Sequence, residues 1–160
     1  MRAVRRLTVA AACVAALTFV GTASAIIIPQ RSIARIELNM TRPEVRAERG
    51  DPRYIRHGMN KFGPWTIFGY RKLKVTFQGN AGATAVFTTR RRQFTPEGIH
   101  VGSTEAELRA AYPGANCRTE TRHFRHCWTG TFQPGRRVTD YRIGMRSGEV
   151  RSVLVAFVID

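Results

Sequence analysis

His123-Phe-Arg-His126 runs directly into Cys127, and Cys117 lies ten residues upstream of that cysteine. Two imidazoles three residues apart could hold a metal ion if a third ligand arrived from elsewhere in the fold. No carboxylate follows close behind them, so the segment reads as a solvated loop closed by a disulfide. Glu105 and Glu107 resemble an acid and base pair, but residues two apart on a helix point to different sides. His57 and His100 have no evident partner. The chain has no G-x-S-x-G elbow, H-E-x-x-H pair, phosphate loop or C-x-x-C pair. No catalytic residue, metal site or cofactor is expected from these residues, and the expectation is a binding protein rather than an enzyme.

The compartment is read from the start of the chain. Arg2, Arg5 and Arg6 precede an apolar run from Leu7 to Val20, and Ala23-Ser24-Ala25 follows. This is the layout of a cleavable secretory signal peptide over residues 1–25. A retained anchor needs about twenty apolar residues, and Thr18, Gly21 and Thr22 interrupt the run. Lipidation at Cys13 would follow Ala10-Ala11-Ala12, with no large aliphatic residue at the expected place. Cleavage leaves 135 residues, enough for one ordinary domain, with no second segment long enough to span a membrane. Cys13 departs with the signal, so Cys117 and Cys127 form an even pair in an oxidising compartment and are expected to be bridged. A loop of that length contributes about 3 kcal/mol by chain entropy.

The mature chain carries 23 Lys+Arg against 11 Asp+Glu, and 20 of the 23 are Arg. Residues 26–93 hold 14 basic and 4 acidic residues, whereas 94–160 hold 9 and 7, so most of the field belongs to the first half. Such a field draws in an acidic protein or a polyanion and weakens with salt. A coding bias toward Arg gives the same composition with no ligand. Nucleic acid is not an expected partner of a secreted chain.

The elements that would carry these residues come from an internal match. Ile36 to Gly50 aligns with Ile99 to Pro113 at an offset of 63, pairing Thr41 with Thr104, Glu44 with Glu107, Val45 with Leu108 and Arg46 with Arg109. Thr41-x-x-Glu44 and Thr104-x-x-Glu107 are capping boxes, in which hydroxyl and carboxylate satisfy the free amides of a helix start. Gly50-Asp51-Pro52 and Pro113-Gly114 end the two helices. Alternating segments follow each helix, such as Leu73-Lys-Val-Thr-Phe and Val138-Thr-Asp-Tyr-Arg-Ile. The expected fold is α+β: two tandem repeats, 26–93 and 94–160, each a helix plus an antiparallel β-meander of about three strands. The sheet face opposite the helices is left open. Arg90 to Gly98 reads as a linker with a helical turn at Thr95-Pro96.

Aromatic residues on these strands outnumber what one face can bury. Trp128 and Tyr141 lead the candidate binding surface on the open face, flanked by Trp65, Tyr70, Lys72, Lys74, Arg136 and Arg137. Alternation alone does not assign faces, because a one-residue slip reverses every side chain.

The run Ile36-x-Leu38-x-Met40-Thr41-Arg42-x-x-Val45, followed by Gly50-x-Pro52, resembles the G-M-T-x-x-x-V-x-x-x-x-G-x-P helix signature of the β-lactamase inhibitor protein superfamily. That superfamily also contains the small outer-membrane assembly lipoproteins. The tandem arrangement and the second-half cysteines are most similar to the secreted two-repeat inhibitor, over about Ile33 to Phe157. The resemblance implies binding on the concave sheet face. Asn39 stands where the signature has Gly, and the first half has no cysteine pair. The inhibitor presents an acidic loop residue to a cationic pocket, whereas the loop here is Gln133-Pro-Gly-Arg136-Arg137, so that contact would set like charges together. The expected partner is another extracellular protein, engaged in an inhibitor-like way, with an envelope polyanion as the alternative. Intact-mass measurement on secreted material should find Ile26 as the first residue, and a mass that retains residues 1–25 would overturn the signal-peptide reading.

Overall fold

In the computed structural model, residues 26–159 are described, so the signal-peptide reading of residues 1–25 lies outside the described residues. Three two-residue strands come first, β1 (Ile27–Ile28), β2 (Ser32–Ile33) and β3 (Ile36–Glu37), pairing as a small antiparallel sheet. Helix α1 (Arg42–Arg49) leads into β4 (Tyr54–Asn60), β5 (Gly63–Tyr70), β6 (Leu73–Gln78) and β7 (Ala83–Thr88). Helix α2 (Glu105–Ala111) leads into β8 (Asn116–Thr121), β9 (Phe124–Gly130), β10 (Arg137–Ile143) and β11 (Val150–Phe157). The eight later strands form one antiparallel sheet in the order β4-β5-β6-β7-β11-β10-β9-β8.

The α+β class expected from the sequence is corrected by this architecture. Strands hold 47% of the described residues and helices only 11%, so the chain is mainly β. Its frame is a continuous eight-stranded sheet beside a three-stranded one, rather than two helix-plus-three-strand repeats. Two of the strands absent from the sequence reading, β4 and β8, are the edges of the large sheet. Their sequences, Tyr-Ile-Arg-His-Gly-Met-Asn and Asn-Cys-Arg-Thr-Glu-Thr, are largely polar, charged or exposed. Edge strands are kept this way because an apolar edge invites pairing with another chain. The turn expected at Thr95-Pro96 is present as a single hydrogen-bonded turn, in which the Gly98 amide donates to the Thr95 carbonyl at 2.9 Å. The segment is also tied to the start of the chain, since Ile26 and Ile27 donate backbone hydrogen bonds to the Phe94 carbonyl and Gln93 and Thr95 are buried.

Both helices begin as the local chemistry requires. Thr41 caps α1 and Thr104 caps α2, and the Glu44 and Glu107 carboxylates accept from the Thr backbone amides at 2.7 and 2.6 Å. Those hydrogen bonds pull both glutamates below the usual carboxylate range. Each short helix buries one large apolar residue, Val45 or Leu108, worth about 2 kcal/mol apiece on transfer from water.

Register partners in an antiparallel pair share a face. The line Phe68, Val75, Val86, Val155, Thr139, Thr129 crosses six strands on one side. This side is covered: the Arg42 and Arg46 guanidiniums of α1 lie over the Phe77 and Phe68 rings at 4.9 and 5.0 Å. From α2, Glu105 accepts hydrogen bonds from Arg125, and Tyr112 just beyond it stands 6.1 Å from Tyr141. The small sheet covers the same side, where the Gln30 amide donates to Thr139 Oγ1 at 2.7 Å. The parallel line Ile67, Thr76, Ala85, Ala156, Val138, Gly130 lies on the opposite side, which neither helix covers.

Thr41→Ala and Thr104→Ala should each cost about 1 kcal/mol, because each leaves a helix-start amide without its acceptor. Chemical denaturation checks this, and unchanged midpoints in both variants would show that the boxes do not hold the helices.

Candidate functional site

The sequence-chosen binding residues divide between the two faces. Trp128, Trp65 and Lys74 sit on the open side. Trp65 is not free-standing: its ring lies across Gly58 on the neighbouring strand, where an added Cβ would come within 2.0 Å of it. Trp65 on β5 and Trp128 on β9 are five strands apart, roughly 24 Å at about 4.8 Å per strand. They cannot form one patch.

Tyr141, expected as a leading anchor, is corrected. It pairs with Val153 and Cys127 on the covered side and is 0% exposed, and burial pushes its phenol far above the ordinary range. Tyr70 also faces the covered side, where its hydroxyl donates to the Gly50 carbonyl at the end of α1, 3.2 Å away. Arg137 has the covered-side register and lies over the Phe157 ring. Lys72 and Arg136 are in turns, outside the strands. The loss of Tyr141 is a register effect: Trp128 pairs with Asp140, so the next residue along must face the other way.

Cys117 and Cys127 are bridged, as directly opposed partners of β8 and β9. The Glu105 carboxylate lies close to both sulfurs, but joined sulfurs leave no thiolate to ligate a metal.

His126 differs from the solvated loop residue that the sequence suggested. It is 4% exposed, on the open side of β9, between Phe124 and Trp128 at ring separations of 4.9 and 5.0 Å. Its Nδ1 meets Asp140 on β10, and its Nε2 lies 3.3 Å from Glu120 on β8. The carboxylates missing from the local sequence arrive on the neighbouring strands. The two carboxylates bring negative charge to the ring from both sides. Arg118, hydrogen-bonded to Glu120, offsets that charge and pulls Glu120 below the usual range. Asp140 moves the other way, because burial raises it more than His126 lowers it. A cleft of about 250 Å³ lies over this cluster, lined by Arg118, His126, Trp128 and Phe132. Both ring nitrogens being engaged, His126 acts as a pin between three strands and has no nitrogen left to take a substrate proton.

A larger pocket, about 640 Å³, opens on the same side where β7, β10 and β11 meet. Arg142, Arg146 and Arg151 line it with Thr89, Ser147 and Ser152, and among the described residues no carboxylate belongs to its wall. A bulge between Arg142 and Ile143 sets Ser152 opposite Arg142 and leaves Arg151 as the extra residue, so two successive β11 side chains reach the pocket. None of these residues was selected from the sequence. Arg142-x-x-x-Arg146 beside the Ser147-Gly148 turn was the available signal, but spacing alone does not show which turn meets which strand.

No family model matches the chain, and no curated protein matches it. Among solved structures, the chain is similar to an extracellular protein containing an SCP domain from Bacillus anthracis str. Ames, with a TM-score of 0.48 and 7% identity. That match covers 75% of this chain but only 44% of the other, a likeness too slight to carry fold or function.

His126→Ala should destabilise the protein by about 3 kcal/mol, because it leaves the largely buried Asp140 without its partner. Adding Asp140→Asn should restore part of the loss, since the stranded charge is gone. Urea midpoints measure both, and a His126→Ala protein as stable as the parent would remove the imidazole from its pinning role.

Proposed function

We propose that the protein is a secreted, basic binding module that engages an anionic partner through the open face of its eight-stranded sheet. The observation that carries this reading is the convergence of Arg142, Arg146 and Arg151 on one pocket of that face with no carboxylate in its wall among the described residues. The covered side offers no comparable surface, since its strands are packed under the helices and the small sheet. Arg56 and Lys74 extend the positive charge across the first half of the open face. The Cys117–Cys127 bridge fits an oxidising compartment, and no helix among the described residues is long and apolar enough to cross a membrane.

Of the two partner classes weighed from the sequence, the envelope polyanion is favoured over an inhibitor-type protein contact. The aromatic anchors of a protein interface cluster at its centre. Here Tyr141 is buried, Trp65 is laid on Gly58 and Trp128 is far from Trp65, whereas the cations remain accessible. Binding is the reading rather than turnover, because His126, set between two carboxylates, is held at both nitrogens.

Retention on a sulfated polysaccharide resin tests the face. Arg56→Glu with Lys74→Glu should elute at clearly lower salt than Arg46→Glu with Arg109→Glu, although both pairs change the net charge equally. Equal losses would mean that overall charge, and not the open face, governs binding.

A further inference from the structure

We infer that the pocket between β7, β10 and β11 is a specific site for a phosphate or sulfate monoester carried on a sugar-sized unit. This rests on the anionic-partner reading and narrows it to one site and one chemical group.

Among the described residues, none of Arg142, Arg146 and Arg151 has a carboxylate oxygen within the 4.0 Å that defines an ion pair. Three guanidiniums brought together without an acid raise the local positive potential, and a bound anion relieves their mutual repulsion. Guanidinium favours planar, two-point recognition of oxyanions, and the Thr89, Ser147 and Ser152 hydroxyls supply further donors around the same space. Arg142 is held in place by stacking on Phe124, 5.3 Å from the ring centroid.

Gly144 shapes the wall. A Cβ at this position would stand 2.7 Å from Ser147 Oγ and 3.1 Å from Arg151 Nε, so both polar groups close in over bare backbone. The turn that carries Ser147 is fixed by a hydrogen bond from the Gly148 amide to the Gly144 carbonyl, 2.8 Å long. The site is therefore built on a strand end, a tight turn and a bulge rather than on a loose loop.

The volume argues for more than the oxyanion. About 640 Å³ falls within the range of small-molecule sites and far exceeds one tetrahedral ion. Phe87 and Met145 provide apolar wall on which a ring face can lie.

Isothermal titration calorimetry on the mature protein tests the site with glucose 6-phosphate, glucose 6-sulfate and glucose. Either ester should bind and glucose should not. Arg142→Gln and Arg151→Gln should each weaken the ester at least tenfold, whereas Arg46→Gln on α1 should leave it unchanged. Gly144→Ala, which alters no charge, should weaken it as well, and thermal melting confirms that each variant is folded. The esters separate by pH: a phosphate ligand should bind more tightly as pH rises through about 6 and its second proton leaves, whereas a sulfate should not respond. Absence of ester binding at millimolar concentration, or equal losses in Arg46→Gln and Arg142→Gln, would overturn the site. If the resin is still held through Arg56 and Lys74 while no ester binds, the pocket proposal fails and the open-face reading stands. If ester binds but the resin is not retained, the pocket stands and the extension of binding across Arg56 and Lys74 fails.

Discussion

The pairing of β7 with β11, through Val153 with Thr88, Leu154 with Phe87, Val155 with Val86 and Ala156 with Ala85, is the contact on which the rest of the molecule depends. Two four-stranded meanders become one sheet along this seam, and two strand edges that would otherwise be exposed are satisfied. Because the seam keeps register, the apolar residues of both halves fall on one face. There α1, α2 and the small sheet bury them in a shared core. The open face follows as its complement. The large pocket is also a product of the seam, since Phe87 and Thr89 come from one half and Arg142, Arg151 and Ser152 from the other.

What could be read in the sequence was the chemistry that closes within a few residues. The capping boxes are such cases, because Thr41 and Glu44, or Thr104 and Glu107, need only each other and one helical turn. The disulfide could be inferred because reading Cys13 as part of a signal peptide leaves one way to pair the other two cysteines. Strand count and class were not legible, since β4 and β8 are edges whose polar sequences carry no period-two signal. Tyr141 shows a second limit. It alternates correctly along its strand, yet facing is set by pairing with Cys127 and Val153, which lie on other strands.

His126 shows the same limit from the side of function. Its acids are six residues upstream and fourteen residues downstream, and only the neighbouring positions of β8, β9 and β10 bring them to the ring. A search along the chain finds an isolated histidine motif, whereas the sheet shows a charged cluster packed among aromatics. The buried Asp140 is tolerated because a hydrogen-bonding partner reaches it, and the same requirement keeps the three strands in register.

Counting charge by halves points to the first half, at +10 against +2, yet the arginine pocket draws its cations from the second. The count fails because it does not ask where the acids are committed. In the first half Arg31, Arg35 and Arg46 are paired with Glu37, Glu48 and Asp51. In the second, Glu107 caps α2, Glu105 holds Arg109 and Arg125, and Glu120 and Asp140 hold His126. Glu97 accepts from Tyr112. With those acids taken, and with Glu149 in no ion pair, Arg142, Arg146 and Arg151 have no carboxylate partner among the described residues where they converge. A coding bias toward arginine would account only for how many guanidiniums the chain carries. It does not account for three of them meeting hydroxyls at a strand bulge, over a glycine that leaves them room.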